Sequence, residues 1–552
     1  MSNSPTSALA DEFLEFRQRT EIDRALWAGE LAYLERWPVA GRQGDDEVTA
    51  VYEAFSGRAQ ELGPVTPPER LLAETIAFTG RSQAILRRWR PELEWVSPAM
   101  GELSLIFTFL PRQPLVTGEH GEKYLAKLHT FPDLASAWCD RLRDAIPAGV
   151  LPSRTQVTST VQQLDKWLSK PLSAGELAAQ AAPTDLDEVH GELWQAAMRE
   201  ALDQDMTESL EDLRRALRDV TAPAARSDEE PGLVYLAGGS EHYERLVWAN
   251  TSLDVTAQSV HELGLAQIER LDSEYRQLGG TVLGTTDLND IFQRLRDDPD
   301  LRYRDAAVLV ADATAILARA ASSLDGWFGR VPQAACTANA IEQGPLAFYS
   351  QPSRDGSQPG QFFFNTSDPG MWCTFQLEAV TFHEGVPGHH LQLAIAQENE
   401  EMHRLMSDYY ISAYNEGWGL YTERLADEMG LYSSDLDRMG MLAGDSMRAC
   451  RLVVDTGLHA LGWSRDRVIG YMLDNSPMTR TQVVGEIDRY IGSPGQALGY
   501  MMGRLEIDAI RRDAEAALGD AFDIAAFHDT VLSTGSVPLG TLRRVVDESV
   551  AG

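Results

Sequence analysis

The chain has 552 residues, with 48 Lys and Arg against 83 Asp and Glu and a formal net charge of −35. That length buries a large core, which excludes disorder of the whole chain, and that charge argues against nucleic acid and anionic membranes as partners, because phosphates attract stripes of Lys and Arg. Four scattered cysteines make no disulfide framework, the first twenty residues lack the basic and apolar segments of a secretory leader, and no run approaches the roughly 18 apolar residues of a membrane span, so the expectation is a cytoplasmic protein.

Apolar positions at spacings of three and four predict helices over residues 8–37, 69–90, 134–146, 155–168 and 187–216. Ala, Leu, Glu and Arg, all good helix formers, are abundant there. The polar stretch 221–231 (TAPAARSDEEP) predicts a linker. It divides an N-terminal helical lobe (1–230) from a C-terminal lobe (231–552) that carries every motif below, the two forming one intertwined unit. Helix resumes over 261–279. The stretch 351–370 (QPSRDGSQPGQFFFNTSDPG) breaks the helical texture. Its turn residues surround a β-prone aromatic run at 362–366, which predicts a small hairpin or edge strand.

A helix starting near Thr374 leads into His383-Glu384-Gly385-Val386-Pro387-Gly388-His389-His390. An HExxH helix sets two zinc-binding His four residues apart on one face, with the Glu free as a base. Here the second His comes at i+6 (His389) or i+7 (His390). On a continuous helix these lie about 9 and 10.5 Å along the axis, too far to share an ion at bonds of ~2.0–2.1 Å. The helix must therefore break between the ligands. Pro387 removes the N–H that would bond the carbonyl of His383, and Gly385 and Gly388 permit unusual dihedrals. The plainer alternative is a turn with incidental histidines, but three of the eleven His crowd into these eight residues beside a Glu.

Catalytic zinc keeps three protein ligands and an open position. Downstream, Tyr414-Asn415-Glu416-Gly417-Trp418-Gly419-Leu420-Tyr421-Thr422-Glu423 offers Glu416 and Glu423 on one helical face. Either can ligate, and one can orient a ligand histidine. Further on, Arg448, Arg451, Asp455 and His459 share a face at offsets 0, 3, 7 and 11 among Leu452, Val453, Val454 and Leu458. This is either a solvated face or a cleft lining that binds a carboxylate, which Arg recognises in bidentate fashion. Arg451 and Asp455 stand at i, i+4 and can pair, which leaves His459 free to touch substrate. Glycines 495, 499 and 503 make a flat face for close backbone approach. Beside them Tyr500 either donates to an oxyanion or packs half-buried.

The combination of HEGVPGHHLQ, NEGWGLYTE, VVDTGLHALGW and PGQALGYMMGRLEI, with AFYSQPSRDGSQPGQFFFNT and HELGLAQIERL, resembles the bacterial family known as domain of unknown function 885. The matching motifs run from about residue 241 to 507. That family is itself similar to the helical zinc peptidases thimet oligopeptidase, carboxypeptidase Taq and angiotensin-converting enzyme. The resemblance implies a mainly α, two-lobed zincin-like peptidase fold with one Zn2+ per chain, held by His383, His389 and Glu416. It makes Glu384 the general base and places Tyr500 and His459 at the oxyanion and substrate. The strand at 362–366 becomes an edge that pairs with extended substrate, with Asn365, Arg448 and Arg451 as substrate contacts. The expected activity is hydrolysis of short peptides. The alternatives are a non-catalytic peptide- or partner-binding protein on a degenerate peptidase fold, and a metallohydrolase of a non-peptide amide.

Overall fold

The computed structural model describes residues 4–22, 31–63, 66–89, 96–97, 101–342, 345–354, 356 and 358–551, and these are mainly helical. Helices begin where the sequence supplies caps. Thr66 with Glu69 and Ser153 with Gln156 form reciprocal capping boxes that open Pro67–Arg87 and Arg154–Trp167. The helix predicted over 8–37 is shorter. It runs Pro5–Thr20, residues 23–30 lie outside the described ones, and residues 31–40 form a turn and irregular chain. The helix predicted over 187–216 continues through two π-helical segments to Ala224. No helix among the described residues is long and apolar enough to cross a membrane.

The stretch expected as a linker is tied down. Arg226 exchanges backbone hydrogen bonds with Arg154 and Pro152 (2.8 and 3.0 Å), and Arg465 N–H donates to the carbonyl of Asp228 (2.9 Å). Apolar packing crosses the same point. Leu9, Phe13, Tyr52 and Ile76 share one core with Leu317, Phe382, Trp418 and Ile507, while residues 103–217 pack largely around a core of their own.

One three-stranded sheet is described: β1 (Cys336–Ile341), β2 (Ala347–Ser350) and β3 (Gly360–Asn365), in the order β1-β3-β2. The aromatic strand is therefore central, not an edge. It pairs parallel with β1 and antiparallel with β2. Phe362 and Phe364 are fully buried on one face, so the most apolar strand takes the position with both ladders filled. The edges fall to the weaker strands CTANAI and AFYS.

Seven helices carry the remaining argument: α1 (Ala257–Val282), α2 (Leu377–Glu384), α3 (His389–Glu398), α4 (Ser412–Glu428), α5 (Asp435–His459), α6 (Arg480–Gly492) and α7 (Gly499–Leu518). Helix α5 packs along α1, and α4 along α7. Between α4 and α7 the backbones nearly touch. A Cβ on Gly503 would sit 1.8 Å from the carbonyl oxygen of Ala413 and 2.8 Å from the Cα of Gly417. Of the glycine face read from the sequence, Gly499 and Gly503 lie at this helix crossing, which brings Tyr500 on α7 toward Glu416 on α4, whereas Gly495 precedes α7 at φ +81° and faces Asn250 and Leu246.

Candidate metal centre

Helix α2 ends at Glu384, where Gly385 leaves helical geometry (φ −99°, ψ −117°), and α3 begins at His389 after Gly388 (φ −80°, ψ −128°). The expected break is present, and it turns His389 back onto His383. Their ring centroids are 4.7 Å apart and nearly perpendicular. His390 faces elsewhere. Its Nδ1 pairs with the Tyr349 hydroxyl (2.9 Å) and its Nε2 with the carbonyl of Ala334 (3.0 Å). Both ring nitrogens are spent fastening α3 to the sheet.

One face of α4 reads His383 from three positions. Glu416 Oε2 lies 3.4 Å from His383 Nε2 and 3.6 Å from His389 Nε2. One turn on, Gly419 passes beneath the His383 ring, where a Cβ would come within 2.6–3.0 Å of ring atoms. A further turn on, Glu423 Oε1 is 2.9 Å from His383 Nδ1, and Arg448 Nη2 stands 3.4 Å from that same oxygen. A carboxylate accepting from Nδ1–H leaves the Nε2 lone pair facing Glu416.

His383, His389 and Glu416 offer one nitrogen or oxygen each, all within 4.8 Å of one another. The separations of 3.4 and 3.6 Å are long for charge-assisted hydrogen bonds. They match the edge of about 3.4 Å of a tetrahedron with bonds of ~2.1 Å. Electrostatics agrees that the cluster wants a cation. Burial disfavours a charged His383, but the Glu416 and Glu423 carboxylates facing its two ring nitrogens outweigh it and raise its pKa to about 9. Glu416, though buried, is held well below the usual carboxylate range by the two histidines. The donor set and spacing fit zinc.

Glu384 stays out of this cluster and is half-buried. Burial raises its carboxyl pKa against the pull of His389 and His383. Two phenols complete the rim, Tyr500 from α7 and Tyr410 from the chain just before α4, both half-buried. Burial, and then the nearby Glu416 carboxylate, pushes both phenols up. Tyr410 escaped the sequence reading. Its only signal is a place six residues before Glu416, on the approach to the same helix.

The stripe on α5 is not a cleft lining. The apolar residues between its members are fully buried, so its charges need partners. Arg448 reaches Glu423. Arg451 does not pair with Asp455 but with Glu486 (2.8 Å) and the Tyr490 hydroxyl (2.8 Å). Asp455 accepts from the Tyr243 hydroxyl (2.5 Å) and from Gly495 N–H (3.0 Å). His459, expected at the substrate, is a core residue. Its Nδ1 accepts from Leu233 N–H (3.2 Å), its Nε2 donates to the carbonyl of Tyr490 (3.1 Å), and burial lowers its pKa to about 3. No nitrogen remains for a ligand. Asn365, expected as a substrate contact on an edge, closes the central strand, and its Oδ1 accepts from the backbone and hydroxyl of Ser367 (2.9 and 2.6 Å). A surface cavity of about 560 Å³ lies between residues 132–143 and 204–220 and contains none of the centre's residues.

Solved structures share the fold, among them two bacterial proteins. A candidate lipoprotein from Colwellia psychrerythraea superposes with a TM-score of 0.90 at 24% identity, over 100% of both chains. A candidate lipoprotein of unknown function from Shewanella oneidensis does so with a TM-score of 0.75 at 19% identity, over 98% of this chain and 99% of that one. No curated protein matches. The family model described as "Bacterial protein of unknown function (DUF885)" matches residues 24–546. With nearly its whole length matched, and with the motifs at 383–423 and 493–507 inside that span, the chain belongs to the bacterial family DUF885.

Proposed function

We propose that the protein is a zinc-dependent peptidase acting on short peptides. The observation that carries this reading is the convergence of His383, His389 and Glu416 beside a half-buried Glu384 that ligates nothing in the cluster. Zinc held by those three residues supplies Lewis acidity, which acidifies water toward a pKa of ~7 and polarises a carbonyl. Glu384, its carboxyl raised by burial, takes the proton of the attacking water and returns it to the leaving amine. Tyr500 and Tyr410 stand near Glu416, and their hydroxyls can donate to an oxyanion. Cys336, at the start of the edge strand β1, has its thiol pushed up by burial and, to a lesser extent, by the nearby Glu384. Among the described residues β1 is an edge of the sheet, and an edge strand can receive an extended peptide.

The test is Glu384→Gln in the zinc-loaded full chain, assayed on a library of short peptides. Zinc content and melting temperature are expected to hold, while turnover falls about 10²–10⁴-fold, the usual worth of a general base. A wild-type chain that binds zinc and cleaves no peptide would overturn the reading in favour of a non-peptide substrate or a binding role.

A further inference from the structure

The geometry points to Arg451 as a positioning residue for Tyr500, acting through the face of its ring; the role of the Tyr500 hydroxyl rests on the peptidase reading above. Arg451 was expected to meet substrate, but it is only 6% exposed. Its Nε donates to the Tyr490 hydroxyl (2.8 Å) and Glu486 (3.3 Å), and its Nη2 donates to Glu486 (2.8 Å). Its Nη1 is buried with no acceptor. What covers the group is an aromatic ring: the guanidinium carbon lies 4.4 Å from the centre of Tyr500.

Charge counting explains why the ring matters. Glu486 also accepts from Arg489 (3.0 Å), so one carboxylate serves two guanidiniums. Within the Arg451–Glu486–Arg489 group one carboxylate faces two guanidiniums, with Arg451 buried and Glu486 and Arg489 half-buried. An aromatic face attracts a buried guanidinium, and the more strongly the less water surrounds it. The same platform grips the chain just ahead of Tyr500. Arg489 donates to the side chain of Gln496, and Asp455 accepts from Gly495 N–H. Tyr500 thus sits on a fixed charge with its hydroxyl at Glu416. A ring tilt of about 10° at Cβ would carry that hydroxyl about 1 Å, a misplacement that can cost 10²-fold in rate.

The test uses the zinc-loaded full chain with 3-fluorotyrosine placed at position 500, read by fluorine NMR. Wild type is expected to give one sharp resonance, and Arg451→Gln to shift or split it. In parallel, Arg451→Gln is expected to lower kcat about 10–100-fold with KM nearly unchanged, and to cost less than about threefold once Tyr500→Phe has removed the hydroxyl, since coupled residues do not add. Arg451→Lys keeps the charge without the fork; it is expected to restore part of both signals, and it decides the matter if the Gln variant does not fold. An unchanged resonance, or a full loss of kcat on top of Tyr500→Phe, would overturn the proposal. If wild type binds zinc but cleaves nothing, the peptidase reading fails and the resonance alone decides whether Arg451 positions the ring.

Discussion

Glu423 holds Nδ1 of His383 at 2.9 Å from a position one helical turn beyond the glycine that lets the imidazole lie against α4. The contact fixes both the ring's orientation and its tautomer, so Glu423 would govern the proposed ligand His383 from outside the His383–His389–Glu416 cluster. Glu423→Gln is expected to weaken zinc affinity about 10–100-fold, measured by competition with a chelator. An unchanged affinity would show that His383 is oriented by packing alone.

His389 and His390 are neighbours with opposite duties. His389→Ala removes a member of the cluster and is expected to abolish tight zinc binding with a modest change in melting temperature. His390→Ala leaves the Tyr349 hydroxyl and the Ala334 carbonyl without their partner. It is expected to keep zinc and lose roughly 2–4 kcal/mol of stability. Zinc titration and thermal unfolding of both variants separate the roles, and a reversed pattern would move the ligand to His390.

His459→Ala is expected to leave zinc content intact and to destabilise the fold by about 3 kcal/mol or more, since it orphans the Leu233 N–H and the Tyr490 carbonyl in the core. Its pH dependence has a definite sign. The folded pKa is about 3 against the ordinary 6.5. The stabilisation from a neutral His459 is therefore complete above about pH 6.5 and is lost as pH falls toward 3. A variant that lost turnover at an unchanged melting temperature would return His459 to the site.

Asp455 has the opposite sign. Burial raises its folded pKa to about 7 from 3.8, so its ionisation penalises the fold progressively between those values and by a constant amount above them. Asp455→Asn keeps an acceptor for Tyr243 and Gly495. It is expected to be more stable than wild type by on the order of 1–2 kcal/mol at pH 8, after the cost of its extra N–H donors, with that advantage disappearing near pH 4. An equal difference at both pH values would mean that Asp455 does not titrate in this range.

Gly503→Ala places a methyl against the Ala413 carbonyl, a backbone atom that cannot swing aside. Overpacking of this kind costs roughly 1–3 kcal/mol or more. Because α4 and α7 must part to admit the methyl, Tyr500 is expected to draw back from Glu416 and turnover to fall even at temperatures where the variant stays folded. Thermal unfolding and steady-state rates on one preparation check both, and a wild-type melting temperature would show that the crossing yields easily.

The ligand cluster was legible because its signals are local. A His-Glu pair, a proline and two glycines between the histidines, and a Glu seven residues from another all lie within short windows, and helix geometry converts such windows into faces. The stripe on α5 misled for the same reason. Periodicity places Arg451, Asp455 and His459 on one face but is silent about Glu486, Tyr243 and Leu233, whose partnerships span 35 to 226 residues. The strand 362–366 was visible, but its central position depends on CTANAI and AFYS, which are too weakly apolar to announce themselves. Tyr410 stands in a loop with no chemical neighbour in sequence, and only the fold delivers it to Glu416.

The break between α2 and α3 gives the centre a mechanical character that two ligands on one helix would lack. His383 and His389 belong to separate rods, and Glu416 to a third. Ligands on a single helix keep their spacing whatever their surroundings do; here the spacing is set by how three rods lean together. An ion seated among them would act as a clasp, and its removal would free the rods to part. Slower hydrogen exchange at the 385–388 junction with zinc than with chelator would be the signature of that clasp, and affinity for the ion would then follow any movement that opens or closes the angle between α2 and α3.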